Sequence, residues 1–299
     1  PEQLTLFCAW EGARAYFEDL ACIIIDEIHA IHSSKRGNLL ALDLARIQTF
    51  APNLRRVGLS ATVDDPDVIR RWLAFAPPGD PAPEASVDLV RGPGGAAPIV
   101  DMLLVENRVP WAGHTAQHAM SEVYEVIKKA RTALVFVNTR FQAEFAFQEL
   151  WKLNDDDLPI ALHHGSLAPE QRRKVEAAMA RGELKAVVCT STLDLGIDWG
   201  DVDLVIQLAS PKGASRMVQR IGRANHRLDE PSRALFVPAN RFEMLECQAA
   251  REAIAENKLD GDPPRVGALD VLAQHVMGCA VSEPFDLLEL YDEVRSAGP

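Results

Sequence analysis

The 299-residue sequence has few cysteines, no long apolar run and no excess of positive charge. Its five cysteines include no Cys-x-x-Cys pair, so they indicate neither a disulfide framework nor a zinc cluster. No window approaches the about 18 uninterrupted apolar residues that a membrane span needs, so we expect no membrane partner. Lys and Arg total 31 against 43 Asp and Glu, a formal net charge of −12. This balance excludes a protein that coats a polyanion with its whole surface, so any nucleic-acid contact must be local.

The composition is that of a chain that buries a core, with 47% hydrophobic and 25% charged residues. At about 150 residues per domain, the length predicts two domains and part of a third. The sequence starts at Pro1 and carries neither a signal-peptide nor a transit-peptide pattern. We therefore expect a cytoplasmic protein with reduced thiols, and a piece of a longer chain.

Two stretches rich in proline and glycine divide the sequence. Residues 77–98 contain six prolines and four glycines, a density that interrupts both helices and strands. A second break covers residues 260–267. We therefore predict domains over residues 1–90 and 91–258, with a linker and the first helices of another domain over 259–299.

Short apolar runs alternate with helical patterns between these breaks. The runs are 133–137, 160–162, 186–189, 202–208 and 234–237, and the helices between them are 141–153, 169–181 and 213–225. Before the first break, strands at 21–25 and 56–59 flank a helix at 38–50, and two more helices are predicted at 269–281 and 285–294. Strands that alternate with helices predict an α/β fold with a parallel sheet covered on both faces.

Two adjacent carboxylates, Asp26 and Glu27, follow the apolar run 21–25. Ligands of α/β sheets bind outside the carboxyl ends of the strands. One carboxylate there could hold Mg²⁺ and the next could orient a water for attack on a phosphoryl group. The alternative is a pair that only begins a helix, where it interacts with the helix dipole. His29 and His32 follow, but not in the His-Glu-x-x-His order of a zinc protease.

Two further segments attract attention. Ser60, Ala61 and Thr62 follow the second predicted strand, so their loop should neighbour Asp26 at one sheet edge. Residues 212–233 are basic within this acidic protein, with arginines at helical spacing. They are Arg216, Arg220, Arg223 and Arg227. Because like charges on one helical face repel, an anionic partner is favoured, while a solvated basic face or internal salt bridges remain alternatives.

Taken in order, these motifs resemble those of superfamily 2 helicases. Residues 26–29 (Asp-Glu-Ile-His) resemble the DExH box, and residues 60–62 resemble the coupling motif. Residues 190–198 (Thr-Ser-Thr-Leu-Asp-Leu-Gly-Ile-Asp) and 219–223 (Gln-Arg-Ile-Gly-Arg) resemble the two late motifs. The resemblance covers essentially the whole chain, and four ordered motifs are far more specific than any one of them.

Two more stretches, residues 34–37 and 221–227, resemble the Lhr-type branch, in particular the bacterial ligase-associated DEXH form. The resemblance implies two RecA-like parallel-sheet domains, the first of them incomplete, followed by the start of a winged-helix domain. In this family the two domains close on ATP and Mg²⁺ at their interface, while single-stranded nucleic acid runs across both. The chain would then be truncated at both ends.

The resemblance also implies roles for individual residues. Asp26 and Glu27 would serve Mg²⁺ and the attacking water, and Ser60, Ala61 and Thr62 would couple the domains. His29 and Gln219 would link the ATP site to the moving interface, and Arg223 would be the arginine finger. Residues that line the nucleotide from the second domain would be Gly196, Asp198, Gln219 and Arg223. Contacts with the nucleic-acid backbone would come from Thr139, Arg140, His164, Gly165, Ser166, Thr190, Lys35 and Arg36.

The implied activity is 3′ to 5′ movement on single-stranded DNA, driven by ATP, with opening of DNA or RNA–DNA duplexes in DNA repair. A ligase or nuclease partner follows from family analogy alone. Two departures stand out. His226 occupies the place of a second arginine, with Arg227 one residue further on. No Gly-Lys dipeptide occurs, so a Gly-x-x-x-x-Gly-Lys-Ser/Thr phosphate loop is absent, and we expect the chain alone to hydrolyse ATP negligibly.

Two other hypotheses remain open at this point. The chain could be a non-catalytic nucleic-acid-binding or scaffold protein that has a RecA-like fold without the phosphate loop. It could also be a metal-dependent hydrolase built on Asp26, Glu27, His29 and His32. The sequence that precedes Pro1 in the parent protein separates the first of these from the helicase hypothesis, because a Gly-Lys-Ser/Thr loop there would support the motor and a natural start near Pro1 would support the scaffold.

Overall fold

The computed structural model describes residues 1–60, 63, 65–75, 82–92, 96–194, 202–224, 231–261 and 265–297. The chain forms two compact units. The first consists of Pro1–Arg91 together with Gly261–Pro299, and the second of Gly92–Asp260. Among the described helices, none has both the length and the apolar character needed to cross a membrane.

Strands and helices alternate along most of the chain. The strands are β1 (Cys22–Ile25), β2 (Arg55–Gly58), β3 (Ile99–Met102), β4 (Ala133–Phe136), β5 (Ile160–His163), β6 (Ala186–Cys189), β7 (Leu204–Leu208) and β8 (Arg233–Val237). The helices are α1 (Glu2–Cys8), α2 (Ala13–Phe17), α3 (Ile28–Ile31), α4 (Lys35–Phe50), α5 (Pro66–Leu73), α6 (Met120–Lys129), α7 (Arg140–Lys152), α8 (Pro169–Ala180), α9 (Ala214–Ile221), α10 (Arg241–Ala255), α11 (Leu269–Ser282) and α12 (Leu287–Ser296). Short 3₁₀ helices cover Pro83–Ser86, Gln117–Ala119 and Ser191–Leu193.

A parallel sheet forms the middle layer of the second unit. In the described residues it has six strands in the order β3-β8-β7-β4-β6-β5. Successive side chains of a strand point to opposite faces. Ala133 and Val135 of β4 accordingly pack with α6 and α7, whereas Leu134 and Phe136 enter the core formed with α8, α9 and α10. Burial on both faces explains the continuous apolar run of β4, and the predicted parallel sheet covered on both faces is confirmed.

The first unit contains the parallel pair β1-β2. One core of this unit includes Phe17, Ile47 and Phe50, where α2 and α4 meet. A second core includes Leu44 and Trp72 together with residues of β1 and α3. The long helix α4 contributes to both cores, because it is buried along most of its length.

Helices α11 and α12 pack against α4 within the first unit. Val271 of α11 joins Leu39 and Leu42 of α4 in a small apolar cluster. The sequence interpretation gives these helices to the start of a winged-helix domain, and that assignment stays a prediction. In the structure, the buried faces of both helices pack against α4.

The start of α4 depends on a close backbone approach. Ser34 caps the helix, and its Oγ accepts a hydrogen bond of 3.1 Å from the Gly37 N–H. A Cβ at Gly37 would lie 2.3 Å from the carbonyl oxygen of Ile31 and 2.8 Å from that of His32. Only glycine permits this contact, which fixes where α4 begins after the Asp-Glu-Ile-His segment.

Candidate functional site

The carboxyl ends of β1 and β2 lie side by side in the first unit. Ile25 pairs with Gly58, and the Leu59 N–H donates a 2.8 Å hydrogen bond to the Ile25 carbonyl. Beyond the strands, the Ile28 N–H donates to the Leu59 carbonyl at 3.0 Å. The two loops are therefore neighbours at one sheet edge, as their spacing in the sequence predicts.

Asp26 and Glu27 occupy this edge directly after β1. Asp26 is exposed, and one of its carboxylate oxygens accepts a 2.9 Å hydrogen bond from the Glu27 N–H. Glu27 has a φ of 51°, in the left-handed region that residues other than glycine rarely adopt. Such conformations cost of order 1–3 kcal/mol and concentrate at functional sites. The backbone strain falls on the residue that the sequence assigns to the attacking water.

His29 lies behind the carboxylate pair, with a side chain that is only 7% exposed. Its Nδ1 is 3.1 Å from the Ser60 hydroxyl oxygen and 3.5 Å from Glu27 Oε2. Burial lowers the pKa of His29 from its usual value of 6.5, although the Glu27 carboxylate acts in the opposite direction. A neutral imidazole therefore links Glu27 to Ser60 at neutral pH.

Lys35 and Arg36 begin α4 and are both exposed, but each is paired within the first unit. Lys35 Nζ lies 2.6 Å from Asp270 Oδ2. The Arg36 guanidinium donates to both carboxylate oxygens of Glu2, at 2.6 and 2.9 Å, and this hydrogen bonding lowers the pKa of Glu2 to about 2. A nucleic acid would have to replace these partners, so their role in binding it stays a prediction.

Polar groups from two loops meet at the carboxyl edge of the second unit's sheet. Thr139 caps α7 in a reciprocal pair with Gln142, whose N–H donates to Thr139 Oγ1 at 3.2 Å. Arg140 Nη1 donates to the Ser166 hydroxyl at 3.3 Å, and the Ser166 N–H donates to His164 Nδ1 at 3.3 Å. The structure thus brings together four of the residues that the sequence predicts to contact nucleic acid, namely Thr139, Arg140, His164 and Ser166.

His164 is buried, and burial lowers its pKa. The neutral His164 imidazole accepts the hydrogen bond of the Ser166 loop from the interior of the unit, so the His164 side chain does not lie at the surface. His163, which sequence reasoning missed, contacts Thr192 Oγ1 at 2.8 Å and Glu176 Oε1 at 3.0 Å. It also accepts a 3.3 Å hydrogen bond on its carbonyl from the Thr190 N–H. The only sequence signal was a pair of histidines at the end of an apolar run.

Arg220 lies inside the second unit and is 1% exposed. Its guanidinium donates to Asp194 Oδ1 at 2.9 Å and to Gln207 Oε1 at 2.5 Å. The guanidinium carbon is 4.7 Å from the centre of the Phe136 ring. The prediction that the arginines of residues 212–233 share one face open to a partner is wrong for Arg220. For this residue the alternative interpretation, an internal salt bridge, is confirmed. This pair ties the segment after β6 to α9.

Arg223 follows this buried pair closely in the chain. Helix α9 ends at Ile221, and the Arg223 N–H donates to the Arg220 carbonyl at 3.0 Å. Arg223 and Gln219 are both half-buried, whereas Arg216 is exposed. Several predicted site residues lie outside the described residues. They are Ala61, Thr62, Gly196, Asp198, His226 and Arg227. Arg223, the predicted arginine finger, therefore comes shortly after Arg220 in the chain, and the Arg220 side chain is fixed by a buried ion pair.

Comparison with known proteins agrees with this organisation. Residues 1–70 match the DEAD/DEAH box helicase family, and residues 118–227 match the helicase conserved C-terminal domain. Over 99% of its length, the chain is 34% identical to the ATP-dependent helicase Lhr-Core of Methanothermobacter thermautotrophicus. Over its whole length, it is 36% identical to the ATP-dependent helicase Lhr-Core protein 2 of Thermococcus barophilus. It spans 35% of the length of each of these relatives.

The Mycobacterium smegmatis helicase Lhr, whose structure was solved with ssDNA and AMP-PNP, shares the fold. The TM-score is 0.84 at 32% sequence identity, and the match covers 100% of this chain and 39% of that one. The parallel sheet, the strand-end carboxylates and the order of the motifs fit the same class of protein. The chain therefore belongs to the superfamily 2 helicases and, within them, to the Lhr type.

Proposed function

We propose that the protein carrying this chain is an ATP-driven translocase that moves 3′ to 5′ on single-stranded DNA and opens DNA or RNA–DNA duplexes. The observation that carries this proposal is the carboxyl edge of β1, where Asp26, Glu27 and His29 lie beside Ser60. That edge combines two carboxylates, a left-handed backbone and a buried neutral imidazole. A role in DNA repair is part of the proposal and follows from the family resemblance.

The first unit would supply the carboxylates of ATP hydrolysis. Exposed carboxylate oxygens are the ligands that Mg²⁺ accepts alongside its own waters, so Asp26 fits that ion. Bound Mg²⁺ would neutralise charge on the phosphates. Glu27 would orient the attacking water. Because His29 contacts both Glu27 and Ser60, a movement of the Glu27 side chain would also shift the Ser60 loop. From the second unit, Arg223 would stabilise the charge on the transferring phosphoryl group.

The edge formed by Thr139, Arg140 and Ser166 would contact the nucleic-acid backbone. It combines hydroxyl groups, a guanidinium and backbone N–H groups at the ends of parallel strands. Such groups bind phosphate oxygens without reading bases, which suits a protein that must step along any sequence. The M. smegmatis relative was solved with ssDNA, which supports a single strand as the ligand. Lys35, Arg36 and Thr190 would add further contacts.

ATP hydrolysis stimulated by single-stranded DNA tests the catalytic roles in the protein that carries this chain. We expect Glu27→Gln to reduce turnover to background, because the amide lacks the charge that orients water. Arg223→Ala should slow turnover by about 10³-fold or more. Arg181→Ala is the matched control, because Arg181 is exposed and paired with Glu183. A near-normal rate in Arg223→Ala would contradict the finger assignment, and strand binding without wild-type turnover would favour the non-catalytic scaffold.

Binding of a fluorescent single strand at several salt concentrations tests the second edge. Each phosphate contact contributes about 0.7 to the slope of log affinity against log salt for single strands. Arg140→Ala should therefore weaken binding and lower that slope by about 0.7. Arg181→Ala should change neither quantity. An unchanged slope in Arg140→Ala would remove Arg140 from the interface.

A further inference from the structure

A cluster of polar side chains is buried in the first unit where α11 and α12 meet α4. His275 and Cys279 of α11 are each 3% exposed, and Glu293 of α12 is 7% exposed. His275 and Cys279 are four residues apart, so they share one face of their helix. Asp43 of α4 lies behind the imidazole and is fully buried. Four titratable side chains in the core require polar partners, because burying a polar group without one is costly.

The distance from His275 to Glu293 is long for a direct hydrogen bond, whereas the contact of His275 with the Cys279 sulfur is within hydrogen-bond range, and both distances are compatible with metal coordination. His275 Nε2 lies 3.6 Å from Cys279 Sγ and 3.5 Å from Glu293 Oε1. The three candidate ligand atoms all lie within 4.8 Å of one another. Good N–H···O hydrogen bonds measure about 2.7–3.2 Å, shorter than the imidazole to carboxylate contact. Tetrahedral zinc bonds of about 2.0–2.3 Å place neighbouring ligand atoms roughly 3.3–3.6 Å apart, close to the two contacts of His275.

Each carboxylate of the cluster has one oxygen held and one oxygen left toward the imidazole. Glu293 Oε2 accepts from Arg46 Nη1 and Thr49 Oγ1, both at 3.2 Å, and Asp43 Oδ2 accepts from Thr5 Oγ1 at 2.6 Å. Glu293 Oε1 and Asp43 Oδ1 are buried and accept no hydrogen bond from the part of the chain that the structure describes. Their nearest imidazole atoms are Nε2 at 3.5 Å and Nδ1 at 3.8 Å.

We propose that His275 Nε2, Cys279 Sγ and Glu293 Oε1 bind a zinc-class divalent cation. Imidazole, thiolate and carboxylate ligands suit zinc or cobalt, whereas magnesium and calcium prefer oxygen alone. Asp43 would orient the imidazole through Nδ1, the arrangement in which a carboxylate lies behind a metal-binding histidine. The cation would join α11 to α12 and so hold both helices against α4. No catalytic step is assigned to it.

Titration with Co²⁺ tests this site on the 299-residue chain carrying Cys22→Ser, which removes an exposed thiol. We expect one equivalent to produce the near-ultraviolet band of a cobalt thiolate and the visible bands of a tetrahedral site, and Zn²⁺ to abolish both. Cys279→Ser should lose the thiolate band. The matched control is Cys247→Ser, because Cys247 is also a buried thiol but lies in the second unit, and this variant should keep the band. Asp43→Asn should keep the band but weaken binding about 10–100-fold.

A second measurement covers variants that fold poorly. The melting temperature of the chain carrying only Cys22→Ser should rise when Zn²⁺ replaces a chelator, and this rise should be absent in Glu293→Gln and present in Cys247→Ser. Absence of a stoichiometric cobalt band from the Cys22→Ser chain would overturn the proposal and leave a metal-free ionic cluster. Persistence of the thiolate band in a folded Cys279→Ser chain would also overturn it, because the ligand would then be another thiol.

Discussion

Replacing Arg220 with alanine should destabilise the second unit by about 3–5 kcal/mol, the range for a buried ion pair that loses one partner. The Arg220 side chain is 2% exposed and that of Asp194 is 8% exposed, with 2.9 Å between Arg220 Nε and Asp194 Oδ1. Without the guanidinium, the buried Asp194 carboxylate keeps only the exposed Arg216 guanidinium, 4.0 Å away, as an opposite charge. Gln207 Oε1 also loses its 2.5 Å donor. An exposed pair would cost only about 0–1 kcal/mol, so burial decides the magnitude.

A double-mutant cycle separates this coupling from the loss of packing against Phe136. Asp194→Ala should also be strongly destabilising, because it leaves the guanidinium buried and unpaired. The double variant should be less destabilised than the sum of the single variants, by about 0.5–3 kcal/mol or more. Arg216→Ala is the matched control on the same helix. Its guanidinium is 47% exposed and lies 4.0 Å from Asp194, so the change should stay below about 1 kcal/mol.

Hydrogen exchange of the β4, β6 and β7 amides measures the stability of this unit separately from the other. Core strands exchange through the larger unfolding reactions, so their protection follows the free energy of unfolding. Protection should fall in Arg220→Ala and Asp194→Ala and be retained in Arg216→Ala. A loss below about 1 kcal/mol in Arg220→Ala, or additive single and double variants, would refute the reasoning.

Two further predictions concern the first unit. Gly37→Ala should lower its free energy of unfolding by about 1–3 kcal/mol, because the added Cβ would lie 2.3 Å from the Ile31 carbonyl oxygen. Gly261→Ala, which lies in the same unit and has open space at that position, should leave thermal unfolding unchanged, and equal stability of the two variants would contradict the contact. His29 should titrate below pH 6.5 in an NMR experiment, because burial lowers its pKa. Its folded state favours the neutral ring, so its contribution to stability is complete above pH 6.5 and decreases as the pH falls. A value above 6.5 would contradict this environment.

The strands of the second unit could be predicted because both faces of the sheet are buried. The sequence 133–136 is continuously apolar, and its residues enter two cores in alternation. Helix ends were harder to predict. The pattern extends a helix over 213–225, whereas α9 ends at Ile221 before Gly222, where helix continuation costs about 1 kcal/mol relative to alanine. The conformational preference of Gly222 favours the end of the helix there, and the periodicity of the side chains does not contain this information.

The candidate site was predictable only where its residues are close in sequence. Asp26, Glu27 and His29 stand in one motif, but the partners of Arg220 come from β4, β7 and the segment after β6. The helical spacing of the arginines therefore predicted an exposed basic face, whereas Arg220 forms a buried ion pair with Asp194. The same reason hides the metal cluster, because Glu293 and Asp43 are distant from His275 in the chain and no Cys-x-x-Cys pair marks it.

In each unit, a buried polar contact lies next to a proposed catalytic residue, either in space or along the chain. In the first unit, His29 lies behind Glu27 and contacts Ser60 at 3.1 Å. In the second, Arg220 precedes Arg223 and is held by Asp194. Groups that act on a developing charge must be held close to their productive geometry, and small displacements cost large factors in rate. Under the proposed function, these buried partners would hold Glu27 and Arg223 in place. We therefore expect Ser60→Ala, in the protein that carries this chain, to lower the kcat of ATP turnover more than it weakens ATP binding, and an unchanged kcat would contradict this role.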